Sequence, residues 1–272
     1  MLYVFAPPRQ IACASLGMVA FVGVALSAAS VSAQDAAPEF VGLGVGAAPD
    51  FFGSDDIEAV PFVFGRFNFG QTRLELDGLS GRVDVANSGS IGFGPAFRYR
   101  FGRDDVENAQ VNALADIDDA VEIGGFVRYA QPAGWTPGDR FSLQLDILTD
   151  VSDSHDGTIA SLTASYAYRP APRLGLTFAA STTYGSENFV DTYFSVTTAD
   201  SVASGLTEFS AGGGFTDVGL SAFATYQIND NWGLVGTLSA RRLVEDAADS
   251  PIVRDAGSET QVFAGFGVTY NF

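Results

Sequence analysis

Hydrophobic and polar residues alternate with a period of two along most of this chain, in pieces of about ten to fourteen residues cut by Gly, Pro, Asn and Asp. Ile91, Phe93, Pro95, Phe97, Tyr99 and Phe101 take turns with Gly92, Gly94, Ala96, Arg98 and Arg100. Val121, Ile123, Gly125, Val127 and Tyr129 alternate with Glu122, Gly124, Phe126 and Arg128 in the same way. Phe141, Leu143, Leu145 and Ile147 oppose Ser142, Gln144 and Asp146. The last residues keep the rule, with Val262, Ala264, Phe266, Val268, Tyr270 and Phe272 on one side and Phe263, Gly265, Gly267, Thr269 and Asn271 on the other. Side chains of a strand project to its two faces in turn, so each piece predicts a strand with one apolar face.

Alternation alone fits a soluble antiparallel sheet as well as a membrane barrel. Three details favour the membrane. The pieces suit a tilted crossing of about 9–11 residues. Charges in the strand centres share a face with small and polar residues, as expected when the other face meets lipid, where Arg costs about 2–4 kcal/mol at mid-depth. Aromatics collect near the strand ends, at Tyr99, Phe101, Tyr129, Tyr166, Tyr168, Tyr226, Trp232 and Tyr270, as in an interfacial girdle. The expected fold is all-β, a transmembrane antiparallel up-and-down barrel that closes its own edges.

Strands are predicted near 39–47, 58–69, 72–85, 89–102, 119–131, 139–152, 157–169, 173–185, 214–228, 231–244 and 258–272. Eleven is odd, whereas single-chain bacterial barrels have an even number. In 72–85 the parity slips, with Leu74 and Leu76 even but Val83 and Val85 odd, so a bulge re-phases one strand or a turn divides two. A further strand at Thr192–Thr197 is the other candidate. Twelve strands are expected, with ten as the alternative. Counting from a periplasmic C-terminus, Ile228–Asn231 and Arg169–Pro172 are tight periplasmic turns, and the longer links 103–118, 186–213 and 245–257 lie outside.

Arg9, the apolar stretch Ile11–Ala28 and Val31-Ser32-Ala33 follow the plan of a secretory signal peptide, with cleavage expected after Ala33 and a single barrel domain over 34–272. A retained helix is the weaker reading. Cys13 would leave with the signal, which removes disulfides, thiol catalysis and cysteine-ligated metals together. The net charge is −18 and every basic residue is Arg, so bulk electrostatics do not favour nucleic acid.

Catalytic candidates are thin. His155 stands alone as a histidine in Asp150-Val151-Ser152-Asp153-Ser154-His155-Asp156-Gly157. Ser, Asp and Gly in a row are what a turn requires, so a solvated external turn is preferred to a Ser–His–Asp triad or a cation site. Asp55-Asp56, Asp104-Asp105, Asp118-Asp119 and Asp246/Asp249 are acid pairs open to calcium, with solvated loops preferred. No catalytic residue, cofactor or metal ligand is assigned. Inward charges make a better candidate: Arg98 and Arg100, Glu122 and Arg128, and Asp146 lie on successive strands and predict a cross-strand ion network in the lumen. It would be either structural filling or a constriction in a small-solute pore. Phe266, Val268, Tyr270 and Phe272 are the expected C-terminal signal for the barrel-assembly machinery, with outer-membrane lipid around the apolar face.

Ordered motifs along the chain add a resemblance. Leu243 to Val253, which contains Asp246, Asp249, Ser250 and Pro251, resembles the penultimate-loop signature of the MltA-interacting protein (MipA)/OmpV family. Gly53-Ser54-Asp55, Gly94-Pro95 with Arg98 and Tyr99, Gly102-Arg103, Glu122-Ile123-Gly124, Tyr193 to Thr197, Ser204-Gly205-Leu206 and Tyr270-Asn271-Phe272 fit as well, although Ser195 stands where the pattern has Gly. The resemblance implies a barrel in the bacterial outer membrane, non-enzymatic, acting as a scaffold between a murein lytic transglycosylase and a murein synthase. A passive small-solute channel is the alternative.

Overall fold

The strands are β1 (Phe40–Pro49), β2 (Ile57–Phe69), β3 (Thr72–Gly78), β4 (Ser80–Asp84), β5 (Ile91–Arg100), β6 (Ala120–Pro132), β7 (Arg140–Asp150), β8 (Thr158–Ala171), β9 (Leu174–Gly185), β10 (Gly214–Gln227), β11 (Trp232–Leu243) and β12 (Thr260–Asn271). In this computed structural model, which describes residues 39–86 and 90–272, each strand pairs antiparallel with its sequence neighbours, and β1 pairs β12 to close a twelve-strand barrel. The signal-peptide expectation and Cys13 lie outside the described residues.

The parity slip in 72–85 is a turn. Leu79 connects β3 to β4, and the register sets Leu74 opposite Val83, so residues of opposite parity share one face. The same register places Arg73 opposite Asp84 and Glu75 opposite Arg82 on the other face. The expected strand at Thr192–Thr197 does not form: Glu187–Phe194 is a helix, α1, and only Val196 bridges Phe209. Phe189, Val190, Tyr193 and Phe194 recur at helical spacing and are all buried, a period that the polar residues between them hide.

Outward positions are apolar and exposed. Leu43, Leu220, Leu238 and Phe266 are all more than half exposed, as a lipid-facing band requires. Trp232 and Tyr270 pack edge to face at the periplasmic rim, and Tyr99 against Phe101 at the outer rim. Inward, β1 and β12 carry glycines that make room for aromatic rings. A Cβ on Gly44 would come within 2.4 Å of the Phe62 ring, and one on Gly42 within 2.2 Å of Phe64. Phe62, Phe64 and Phe263 thus form an apolar lining on one wall of the lumen.

The outer loops fold into a cap. Helices α1 and α2 (Thr198–Ser204) lie in the outer link between β9 and β10, and α3 (Glu245–Asp249) and α4 (Pro251–Arg254) in the one between β11 and β12. Phe189, Phe194, Leu243, Ala247 and Val253 make one buried cluster, and Phe51, Val111, Leu114, Val196 and Ile252 another. Loops with apolar cores of this kind are packed structure rather than solvated links.

Candidate functional site

The inward charges gather along β2 to β7. Glu122 is fully buried, with its Oε1 2.7 Å from Arg100 Nε and its Oε2 3.5 Å from an Arg98 nitrogen. Arg128 donates to Glu75 at 2.8 Å and to Asp84 at 2.7 Å. Arg82 Nε donates to Asp146 at 2.6 Å, and Gln144 donates to the other Asp146 oxygen at 2.8 Å. Arg66 and Arg73 reach Glu75 at 3.5 and 3.7 Å. The cluster holds six arginines against four carboxylates. Arg98, Arg100 and Glu122 therefore meet, whereas Arg128 and Asp146 each join a partner on the β3–β4 hairpin. Sequence reasoning missed Arg66, Arg73, Glu75, Arg82 and Asp84. The signal was the charge alternation Arg73, Glu75, Arg82, Asp84, which becomes one-sided once a turn is placed at Leu79.

His155 corrects an expectation. It is buried rather than solvated, with Nε2 3.4 Å from Glu122 Oε1 and Nδ1 accepting from the Gly157 N–H at 3.0 Å. Asp150 accepts from the Ser152, Ser154, His155 and Asp156 N–H groups, which folds the turn inward. Phe189 and Tyr193 of α1 pack on the imidazole, and the Arg100 guanidinium lies 5.0 Å from the Phe189 ring centre. Among the described residues no serine hydroxyl is bonded to the imidazole: Ser152 donates to Asp150 and Ser154 to the Asp118 carbonyl.

The loop motif locks the cap. Ser250 is fully buried, donates to the Phe194 carbonyl at 2.6 Å and accepts from the Ile252 N–H at 3.3 Å, which caps α4 with Pro251 at its first turn. Asp246 accepts from the Gly212 N–H at 2.7 Å, and the Asp249 carbonyl accepts from Arg254 at 3.4 Å. These residues join α1, the link before β10 and α4 into one lid. Asp119 is likewise committed, to the Tyr99 hydroxyl and the Gly102 N–H. Among the described residues, no three His, Cys, Asp or Glu side chains converge on a point. The C-terminal set Phe266, Val268, Tyr270 and Phe272 sits on the lipid face, and the Phe272 N–H donates to the Glu39 carbonyl at 3.2 Å.

The two mouths differ. The outer one lies under the cap. The periplasmic one opens into a vestibule of about 760 Å³ lined by Arg66, Arg73, Arg140, Arg169 and Arg173, with Asp230 as the acid. Among the described residues Arg140, Arg169 and Arg173 make no ion pair. A chain of net charge −18 thus concentrates unpaired cations at one opening.

A family model described as MltA-interacting protein MipA matches residues 41–272. The outer membrane protein YiaT of Escherichia coli strain K12 is 29% identical over 139 residues, covering 51% of this chain and 54% of that protein. The chain thus spans about half the length of the curated relatives it matches. Among solved structures, the NanC porin gives a TM-score of 0.49 at 8% identity, covering 85% of this chain and 100% of that one. An outer membrane channel from Pseudomonas putida F1 gives 0.43 at 10%, covering 91% and 100%. The chain belongs to the MltA-interacting protein MipA family and is a twelve-strand outer-membrane β-barrel.

Proposed function

We propose that this protein is a non-enzymatic interaction protein that works from its periplasmic face, docking murein-remodelling enzymes. The observation that carries the reading is the asymmetry of the mouths: a cap with its own apolar core lies over the outer one, and unpaired arginines ring the inner one. The family description names a partner for a lytic transglycosylase, and a murein synthase is the second partner that the resemblance implies. The periplasmic turns are short, whereas a stable interface buries about 800 Å² per partner. An acidic segment of the partner reaching into the vestibule adds area that the rim alone lacks, with charge complementarity setting orientation and rate.

The test is co-purification of the membrane-embedded protein with a lytic transglycosylase and a murein synthase. Joint Arg140→Gln, Arg169→Gln and Arg173→Gln replacement is expected to lower recovery several-fold and to remove its salt dependence. Unchanged capture by the triple variant would contradict the reading.

A passive channel is the second reading. It is supported by the β9–β11 side of the lumen, where Gly175, Thr177, Ser221, Thr225, Thr237 and Ser239 surround Phe223 in an uncharged surface.

A further inference from the structure

The barrel wall is incomplete beside the short β3–β4 hairpin. β2 pairs with β1 along Ile57–Arg66, but with β3 only from Val63 to Phe69. Its outer half, Ile57–Phe62, therefore has a free edge about 20 Å long. On the far side β5 meets β4 only at Ala96, Phe97 and Arg98, flanked by single bonds from Val85 to Phe93 and from Tyr99 to Leu79. At membrane depth such unpaired backbone is tolerated where it lines a cavity. A cavity of about 760 Å³ lies there, beneath the cap. Inward-facing Phe62 and Phe263 border it, and so do exposed Pro61 and Phe101 of the outer face, so it opens through the wall.

The charges around this space are one-sided. Asp50, Glu58, Asp104, Asp105 and Asp119 border it, and among the described residues none of them makes an ion pair. Three arginines border it too, each balanced by acids outside the lining: Arg100 by Glu122 at 2.7 Å, Arg241 by Asp217 at 3.4 Å, and Arg103 by the charges of Asp200 and Asp116. Asp119 holds Tyr99 and the Gly102 N–H, and Asp50 the Glu107 N–H. The Glu58, Asp104 and Asp105 carboxylates are left without a partner among the described residues. A cleft lined by one sign of charge concentrates the opposite one. No three of the described acids converge on a point, so the lining suits an organic cation rather than a metal ion. Tyr193, 4% exposed, borders the same space, and its hydroxyl has no hydrogen-bond partner among the described residues. A buried hydroxyl of that kind keeps its capacity to accept from a ligand N–H.

We propose that this cavity binds an amphipathic amine, an ammonium head on an alkyl chain of medium length, taken up sideways from the outer leaflet between β2 and β5. The ammonium lies among Glu58, Asp104 and Asp105 and donates to the Tyr193 hydroxyl, and the tail lies along Phe62 and Phe263. Glu58 and Phe62 share the inner face of β2 about 13 Å apart, a span that sets the chain length. β2 runs down from the outer rim, so head and tail keep the order they have in the leaflet. Tyr99 and Phe101, packed together at that rim, place the portal at headgroup depth. This site is independent of the docking role, because the portal and the vestibule lie at opposite ends of the barrel.

The test is photolabelling of the full barrel in liposomes with diazirine-bearing decylamine, decanol and decanoate, mapped by peptide mass spectrometry. Decylamine, charged at neutral pH as Lys is, is expected to label residues 58–62 and 101–106 several-fold above decanol or decanoate. Joint Glu58→Gln, Asp104→Asn and Asp105→Asn replacement, at carboxylates that hold no other group, is expected to abolish that excess and leave decanol label unchanged. Leu79→Trp, which narrows the portal, is expected to lower decylamine label several-fold. Decylamine label spread evenly over lipid-face positions such as Leu43 and Leu220 would overturn the cavity. An excess that survives the triple variant would overturn recognition by the carboxylates, and undiminished label in Leu79→Trp would overturn the sideways route.

Discussion

His155 Nε2 lies 3.4 Å from Glu122 Oε1, and both side chains are wholly buried where the lumen meets the cap. The contact ties an outer turn to the barrel's ion network. Removing one member of a buried charge set leaves the others uncompensated, at about 3–5 kcal/mol. Glu122→Gln strands Arg100 and Arg98 and is expected to destabilise by that amount. His155→Gln, which leaves a side-chain amide facing Glu122, should cost about 1–2 kcal/mol. Urea unfolding of the refolded barrel in detergent orders the two variants.

Ser250→Ala removes one bond to the Phe194 carbonyl and the α4 cap together. Loss of a helix cap costs about 1 kcal/mol, and the orphaned buried carbonyl adds about 1–3 kcal/mol. The loss falls on the cap and not on the strands. Limited proteolysis is therefore expected to cut within 186–213 and 245–257 while the barrel keeps its heat-modifiable mobility.

Much of this architecture was legible because lipid enforces it. Ile91, Phe93, Phe97 and Tyr99 had to face outward together, and period two reports that directly. The cap was not legible. In α1 the period is helical but spans only eight residues, too short to separate from a polar loop. His155 was misread because Ser, Asp and Gly around it do make a turn, and what buries that turn comes from α1, far along the chain. The ion network was half visible, since Glu75, Arg82 and Asp84 share a face only after the Leu79 turn is drawn.

Gly44 and Gly236 should respond in opposite ways. A Cβ on Gly44 would fall 2.7 Å from the Phe266 carbonyl oxygen as well as against Phe62, whereas a Cβ on Gly236 has no atom within 4 Å. Gly44→Val is expected to prevent assembly, because overpacking against backbone has no cheap relief. Gly236→Val should assemble normally on the lipid face. Yield of heat-modifiable barrel in membranes measures both.

Acid should loosen the cap through Asp200. Burial raises its pKa, but bonds from the Thr197 hydroxyl, the Ala115 N–H and the Thr197 N–H, with the Arg103 charge, outweigh that and hold it below the ordinary carboxylate value. A depressed carboxylate stabilises fully above its unfolded pKa of about 3.9, and that contribution is lost as the pH falls through the folded value. Amide exchange at Ala115 and in α2 is expected to accelerate below about pH 4 in the wild type. In Asp200→Asn the same amides should exchange faster at neutral pH, with little further change on acidification.

The cap over the outer mouth underlies the periplasmic reading, and single-channel recording of the refolded barrel in a planar bilayer tests it most directly. The account predicts no steady conductance in the wild type and flickering openings in Ser250→Ala. Steady ohmic conductance in the wild type, altered by Arg98→Ala, would contradict it and make the ion network the constriction of a pore.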